Sequence, residues 1–263
     1  MRVSNSDDVV AFLERKVFFL HPSVLIQNQI IEELAQEEFE VYAIKDESRL
    51  RHLLKKYPRS IVFANISDGM RESAWEEWIR SVMTNSEITG VDIGIIASTE
   101  DSNLRHKYTE RFKVRCGYTV IRSDLPGAIK QLENILRNAQ AKGRRKYIRA
   151  MTADEPNITV NIPINGTFIK GAIRDISAVG FSCYFESDPR LIKNSHFTDI
   201  QIRLKMQLLK VQGVIFGSRI HDSKKIYVIL FSQRTSPDVI AKIRKFIRFY
   251  LQSKIDADLK GSV

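Results

Sequence analysis

Hydrophobic positions change their period near the middle of the chain. In the first half, short apolar runs alternate with stretches whose apolar residues recur every three or four positions. The runs are Val17–Leu20, Val41–Ile44, 61–66, 91–97 and 118–121, all of strand length. Between them, Ile26, Ile30, Ile31 and Leu34 share a helical face, and helices are predicted over 49–56, 73–83 and 101–112. Trp75 and Trp78 lie three apart on one face of the 73–83 helix, a spacing that fits core packing. Ile129, Leu132 and Leu136 mark a last helix, with Gly143 as its expected C-cap. Five strand–helix units with short connections predict a parallel sheet covered by helices on both faces.

The second half alternates with period two. Ile158, Val160, Ile162 and Ile164 are separated by polar or neutral residues, which describes a half-buried strand. Asn165-Gly166 follows at once, a strong signal for a type I′ hairpin. Further strands are predicted over 168–174, 181–185, 200–208, 211–216 and 226–231. Six strands with turn residues between them predict a small antiparallel barrel. One helix closes the chain, with Ser236 as N-cap, Pro237 at N1 and an apolar stripe of Val239, Ile243, Phe246, Ile247 and Tyr250. Its Lys242, Arg244, Lys245 and Arg248 read as a solvated face. The expected domains are 1–143 and 144–263, joined by a linker at 143–150.

Charge sharpens this division. Residues 144–263 carry 21 Lys/Arg against 10 Asp/Glu, while residues 1–143 carry 20 against 21. All of the net +10 therefore belongs to the second half, which points to an anionic partner for it. The N-terminal stretch has acidic residues where a leader needs basic ones, and no apolar run is long enough to span a bilayer. Cys116 and Cys183 lie in different halves and make no disulfide framework. These features predict a cytoplasmic protein without membrane insertion.

The junction reads Gly143-Arg144-Arg145-Lys146-Tyr147-Ile148-Arg149, and after one hairpin comes Asp175-Ile176-Ser177-Ala178-Val179-Gly180. This pairing resembles the PilZ family, whose signatures are Arg-x-x-x-Arg ahead of a barrel and Asp/Asn-x-Ser-x-x-Gly on an early strand and turn. Arg145 and Arg149 match the first signature; Asp175, Ser177 and Gly180 match the second. The resemblance covers about residues 144 to 250. It implies a six-stranded barrel with a closing helix, cyclic di-GMP as ligand, a signalling effector with no catalytic residues, and those five residues as the binding site. Arg144 is a further candidate, toward a second, stacked ligand molecule.

The chemistry of these side chains is compatible with that ligand. A guanidinium can fork onto phosphate oxygens or onto guanine O6 and N7. A carboxylate has only acceptors and suits the guanine N1–H and N2–H₂ edge. The arginines also sit on what the sequence shows as the only connection between the halves. Ligand capture there is therefore expected to change the relative pose of the two domains.

The first domain resembles a response-regulator receiver, a flavodoxin-like fold, but in degenerate form. Its first strand ends in His21-Pro22 where an acidic pair is needed. Its third runs to Asn65-Ile66-Ser67, with Asp68 displaced beyond the strand. Its fourth ends in Ser98-Thr99 and its fifth at Arg122, where a receiver has lysine. Neither a cation site nor a phosphoacceptor is expected. A protein-interaction platform with an unknown downstream partner fits better. His21, His52, His106, His196 and His221 show no metal-ligand spacing, so neither metal nor cofactor is expected. The alternative reading is a regulator that binds DNA or RNA through the basic second half. The lack of a helix-turn-helix pattern and of an aromatic stacking motif argues against that as the main role.

Overall fold

A computed structural model describes residues 14–121 and 124–261. The chain divides into two compact units. One runs to Lys146 and takes up the chain again from Gln252; the other is Tyr147–Leu251.

In the first unit the strands are β1 (Val17–Leu20), β2 (Val41–Ile44), β3 (Ile61–Asn65), β4 (Asp92–Ala97) and β5 (Tyr118–Val120). All pair in parallel, in the order β2-β1-β3-β4-β5. The helices are α1 (Ile31–Gln36), entered through a π-helical turn at Ile26–Ile30, α2 (Glu47–Lys56), α3 (Glu72–Thr84), α4 (Ser102–His106), continued by a π turn at Lys107–Arg111, and α5 (Leu125–Asn138). β1, β3 and β4 are buried along their whole length, as a parallel sheet covered on both faces requires. Trp75 and Trp78 lie in the core, and their indole N–H groups donate to the carbonyls of Asp68 and Glu47.

Gly143 does not end the last helix of this unit. α5 stops at Asn138, and Gln140 takes the left-handed conformation with φ 52°. Ala141 N–H bonds Leu136 O and Gln140 N–H bonds Arg137 O, the paired pattern of a Schellman ending. Arg122, expected at the end of the fifth strand, lies outside the described residues.

The second unit contains β6 (Arg149–Met151), β7 (Ile158–Ile164), β8 (Thr167–Ser177), β9 (Gly180–Phe185), β10 (His196–Leu204), β11 (Gln207–His221) and β12 (Lys224–Phe231), followed by α6 (Pro237–Lys260). Six strands run β8-β7-β10-β11-β12-β9, and β9 pairs back onto β8, so the antiparallel barrel is closed. β6 adds to β8 outside this ring. Asn165 and Gly166 have φ of 48° and 81°, the double positive that a type I′ turn demands.

Ile158, Val160, Ile162, Ile173, Ile176, Ile200 and Ile202 fill the barrel at zero exposure. Roughly 1.5–3 kcal/mol per side chain follows from such burial. Ile243, Ile247 and Tyr250 of α6 belong to the same core. The expected strand over 211–216 is the middle of a much longer one.

Residues of α6 fall in both units. From Gln252 onward they count with the first, where the Gln252 amide bonds both backbone groups of Ala43 on edge strand β2, at 3.0 and 3.1 Å. Asp258 accepts from Tyr57 Oη at 2.6 Å and pairs with Lys56 Nζ at 2.8 Å. The chain thus passes between the units twice, and the segment around Arg145 is not the sole connection.

Candidate functional site

Strand register places three of the sequence-derived residues together. Arg149 opens β6 opposite Ser177, the last residue of β8, and Met151 stands opposite Asp175. Ala150 between them points into the core with zero exposure, so Arg149 and Met151 face outward. Thr152 prolongs the attachment: its N–H bonds Arg174 O at 2.8 Å and its hydroxyl donates to Ile173 O at 2.9 Å. Tyr250 Oη donates to Met151 O at 2.9 Å. A three-residue strand is therefore pinned along both of its edges.

Arg149 Nη1 donates to Asp175 Oδ1 at 3.3 Å. The Ser182 hydroxyl donates to the other carboxylate oxygen, Oδ2. Ser182 lies opposite Asp175 in the β8–β9 pairing and is itself buried. The Asp175 side chain is 9% exposed, whereas that of Arg149 is 45% exposed. A buried carboxylate thus holds one edge of a half-exposed guanidinium, which keeps further N–H donors for an incoming anion. The Asp175 charge also adds to the effect of burial in raising the Cys183 thiol pKa well above its ordinary value.

Ser177 and Gly180 build the turn that joins β8 to β9. The Ser177 hydroxyl donates to Gly180 O at 3.1 Å and accepts from Val179 N–H at 3.4 Å. Gly180 is there because nothing larger fits: a Cβ would fall 2.2 Å from Ile229 O on β12. Both residues shape the rim beside Asp175, and their polar groups are committed to the turn. Arg144 and Arg145 are exposed and lie before Tyr147, in the segment counted with the first unit.

Ser182 was not singled out from the sequence. Its signal was available in principle, since the residue two beyond Gly180 must face the same side of β9.

The first unit has its own crevice position. With strand order β2-β1-β3-β4-β5, ligands of open α/β sheets bind beyond the carboxyl ends at the β1/β3 switch point. Here His21, directly after β1, packs edge-on to Trp75 with ring centroids 5.6 Å apart and contacts Glu47 at 3.1 Å. Gly69 has no side chain because the His21 ring fills that space, 2.4 Å from where a Cβ would sit. Asp68 Oδ1 accepts from Gly69 N–H, and Ser67 Oγ accepts from Ser98 N–H at 2.8 Å. Among the described residues, no cluster of three His, Cys, Asp or Glu side chains could hold a metal ion. None of their helices is long and apolar enough to cross a membrane.

No family model and no curated protein matches the chain. Several solved structures do. The PilZ domain of YcgR from Escherichia coli with c-di-GMP aligns at 16% identity and a TM-score of 0.38, over 46% of this chain and 99% of that one. The MrkH–c-di-GMP complex from K. pneumonia aligns at 21% identity and 0.37, over 44% and 55%. PlzA from Borreliella burgdorferi, in complex with c-di-GMP, aligns at 18% identity and 0.29, over 50% and 58%. The chain spans just over half the length of the last two.

Proposed function

We propose that the chain is a PilZ-type receptor for cyclic di-GMP and acts as a signalling effector. The observation that carries this reading is the Arg149–Asp175–Ser182 cluster on the outer face of the barrel, four residues after Arg145. The cluster offers a cation with spare donors, a buried acceptor, and a rim formed by the tight Ser177–Gly180 turn. A phosphodiester takes the free N–H groups of Arg149, and Arg145 supplies the second guanidinium. The guanine N1–H and N2–H₂ edge competes for the acceptors of Asp175. Ser177 and Gly180 serve this site by fixing the turn.

Fixing the exposed Arg145 side chain on the ligand costs conformational entropy, which the charge-assisted contacts offset. The difference in ligand affinity between the segment's bound and unbound arrangements then sets the signal. The second connection through α6 gives the barrel another physical route to the first unit.

Titration calorimetry of the full chain with cyclic di-GMP, GTP and GMP at two salt concentrations tests the proposal. Saturable binding confined to cyclic di-GMP is expected. Equal heats from all three nucleotides, or none, would reject it.

A further inference from the structure

We propose that the outer face of β7, β8, β10 and β11 is a binding surface for single-stranded nucleic acid, separate from the Arg149–Asp175 site. The register sets one straight row across four strands, Lys170–Asn161–Gln201–Lys210. The next row is Ala172–Thr159–Arg203–Leu208. Directly paired residues share a face, and Ile158, Val160, Ile162, Ile200 and Ile202 fill the opposite one, so both rows point outward. At an inter-strand spacing of about 4.8 Å, Lys170 and Lys210 stand about 14 Å apart with two amides between them.

The face carries a groove of about 470 Å³ whose walls include Asn157, Asn161, Lys170, Gln201 and Arg203. No carboxylate lines it. Arg203 Nε donates to Lys205 O at 3.1 Å, and among the described residues neither Arg203 nor Lys170 has an ion-pair partner. Lys210 has one distant contact, 3.7 Å to Asp199, between two exposed side chains.

Phe168 lies two residues before Lys170 on β8, paired with Pro163, and so shares this face; it is 51% exposed. The sequence disguised it as an ordinary strand residue. The set matches the chemistry of a single strand: cations for phosphates, an aromatic platform for a base, and amides able to pair with base edges. A double helix presents its bases stacked inside and gives Phe168 nothing to stack on.

Fluorescence anisotropy of the full chain with a labelled single-stranded oligonucleotide, across a salt series, provides the test. Wild type should bind with a steep salt dependence. Lys170→Gln with Arg203→Gln should weaken binding and lower the salt slope by about 0.7 per lost phosphate contact. Phe168→Ala should weaken binding by about fivefold or more while leaving the slope unchanged. Cyclic di-GMP heats should be unaltered in all variants, since none touches the Arg149 cluster. Wild-type affinity in the variants, or no binding at low salt, overturns the proposal. Equal competition by the duplex or by heparin also overturns it, because the face would then be a general polyanion surface.

Discussion

Arg149 and Asp175, 26 residues apart in sequence, meet across adjacent strands with Nη1 and Oδ1 3.3 Å apart. The pair joins a half-exposed cation to a buried anion, so its two members have different duties. Asp175 is held in place and offers acceptors to a guanine edge, and Arg149 is the member able to swing toward a phosphate. Arg149→Ala should lower cyclic di-GMP affinity by about tenfold or more, from the loss of charged hydrogen bonds of roughly 1.5–3 kcal/mol. The melting temperature should fall as well, because the buried Asp175 carboxylate keeps Ser182 but loses its cation. Asp175→Asn should also weaken binding, because half of the amide donates where the guanine edge needs acceptors. Calorimetry on both variants is decisive, and wild-type affinity in each would remove the site from this surface.

Gly180 should be intolerant of any side chain for reasons of folding. A Cβ 2.2 Å from Ile229 O must push β9 off β12 or distort the Ser177 turn. Gly180→Ala should cost about 1–3 kcal/mol of stability, in the range of overpacked cores. Thermal or urea unfolding checks this; an unchanged midpoint would mean that the two strands can part freely there.

The barrel should also carry an acid-sensitive anchor. Asp188 accepts from Tyr227 Oη, from Arg190 N–H at 2.9 Å and from Lys225 Nζ at 3.1 Å. The Tyr227 bond leads in lowering its pKa to about 2, with the Arg190 amide and Lys225 adding to it. A depressed folded-state pKa stabilises the fold above the unfolded value of about 3.9, and that contribution is lost as pH falls through about 2. Asp188→Asn should therefore flatten the acid limb of the melting temperature between about pH 4 and 2. An identical pH profile in the variant would contradict the assignment.

The first unit should not take up phosphate. His21 packs edge-on to Trp75 where a receiver has its acidic pair, and Asp68 is turned onto its own backbone at Gly69. Incubation with acetyl phosphate and Mg²⁺, followed by peptide mass mapping, should leave residues 60–70 unmodified. A phosphorylated Asp68 would overturn this reading.

What the sequence disclosed followed where the physics was local. Alternation over residues 158–164 and the Asn165-Gly166 turn required only neighbouring residues, and both are present as expected. Gly143 was an attractive helix end, yet Gln140 took the left-handed position because hydrogen bonds can form around a non-glycine there. β6 was invisible because three residues carry no period; its existence depends on Thr152 and on Tyr250, about a hundred residues away. The outer part of β11, 216–221, is exposed apart from half-buried Gly217 and lacks the apolar alternation that marks a strand. Asp175 was identifiable by its motif; the face of Ser182 follows from its spacing to Gly180, but its pairing with Asp175 required the β8–β9 register. The extension of α6 into the first unit had no local signature, since it rests on Gln252 and Asp258 finding Ala43, Lys56 and Tyr57.

Arg145 belongs to the segment counted with the first unit, whereas Arg149 is pinned in β6 of the second. If both grip one ligand, the segment between them is held at both ends when it binds. Exposed Lys146 is a cleavage site for trypsin, so digestion there should slow when cyclic di-GMP is saturating. Arg145→Ala should abolish that protection while β6 and its pairing with β8 stay intact. It should also weaken affinity by about tenfold. Residues 144–263 alone provide a harder test, because removal of the first unit strips Gln252 and Asp258 of their partners. If this fragment folds and binds, the binding site is complete within the barrel and its leading segment. If linker cleavage is the same with and without ligand in the full chain, that segment is not the switch. The signal would then have to travel along α6, whose last turns already bond the edge of the first unit's sheet.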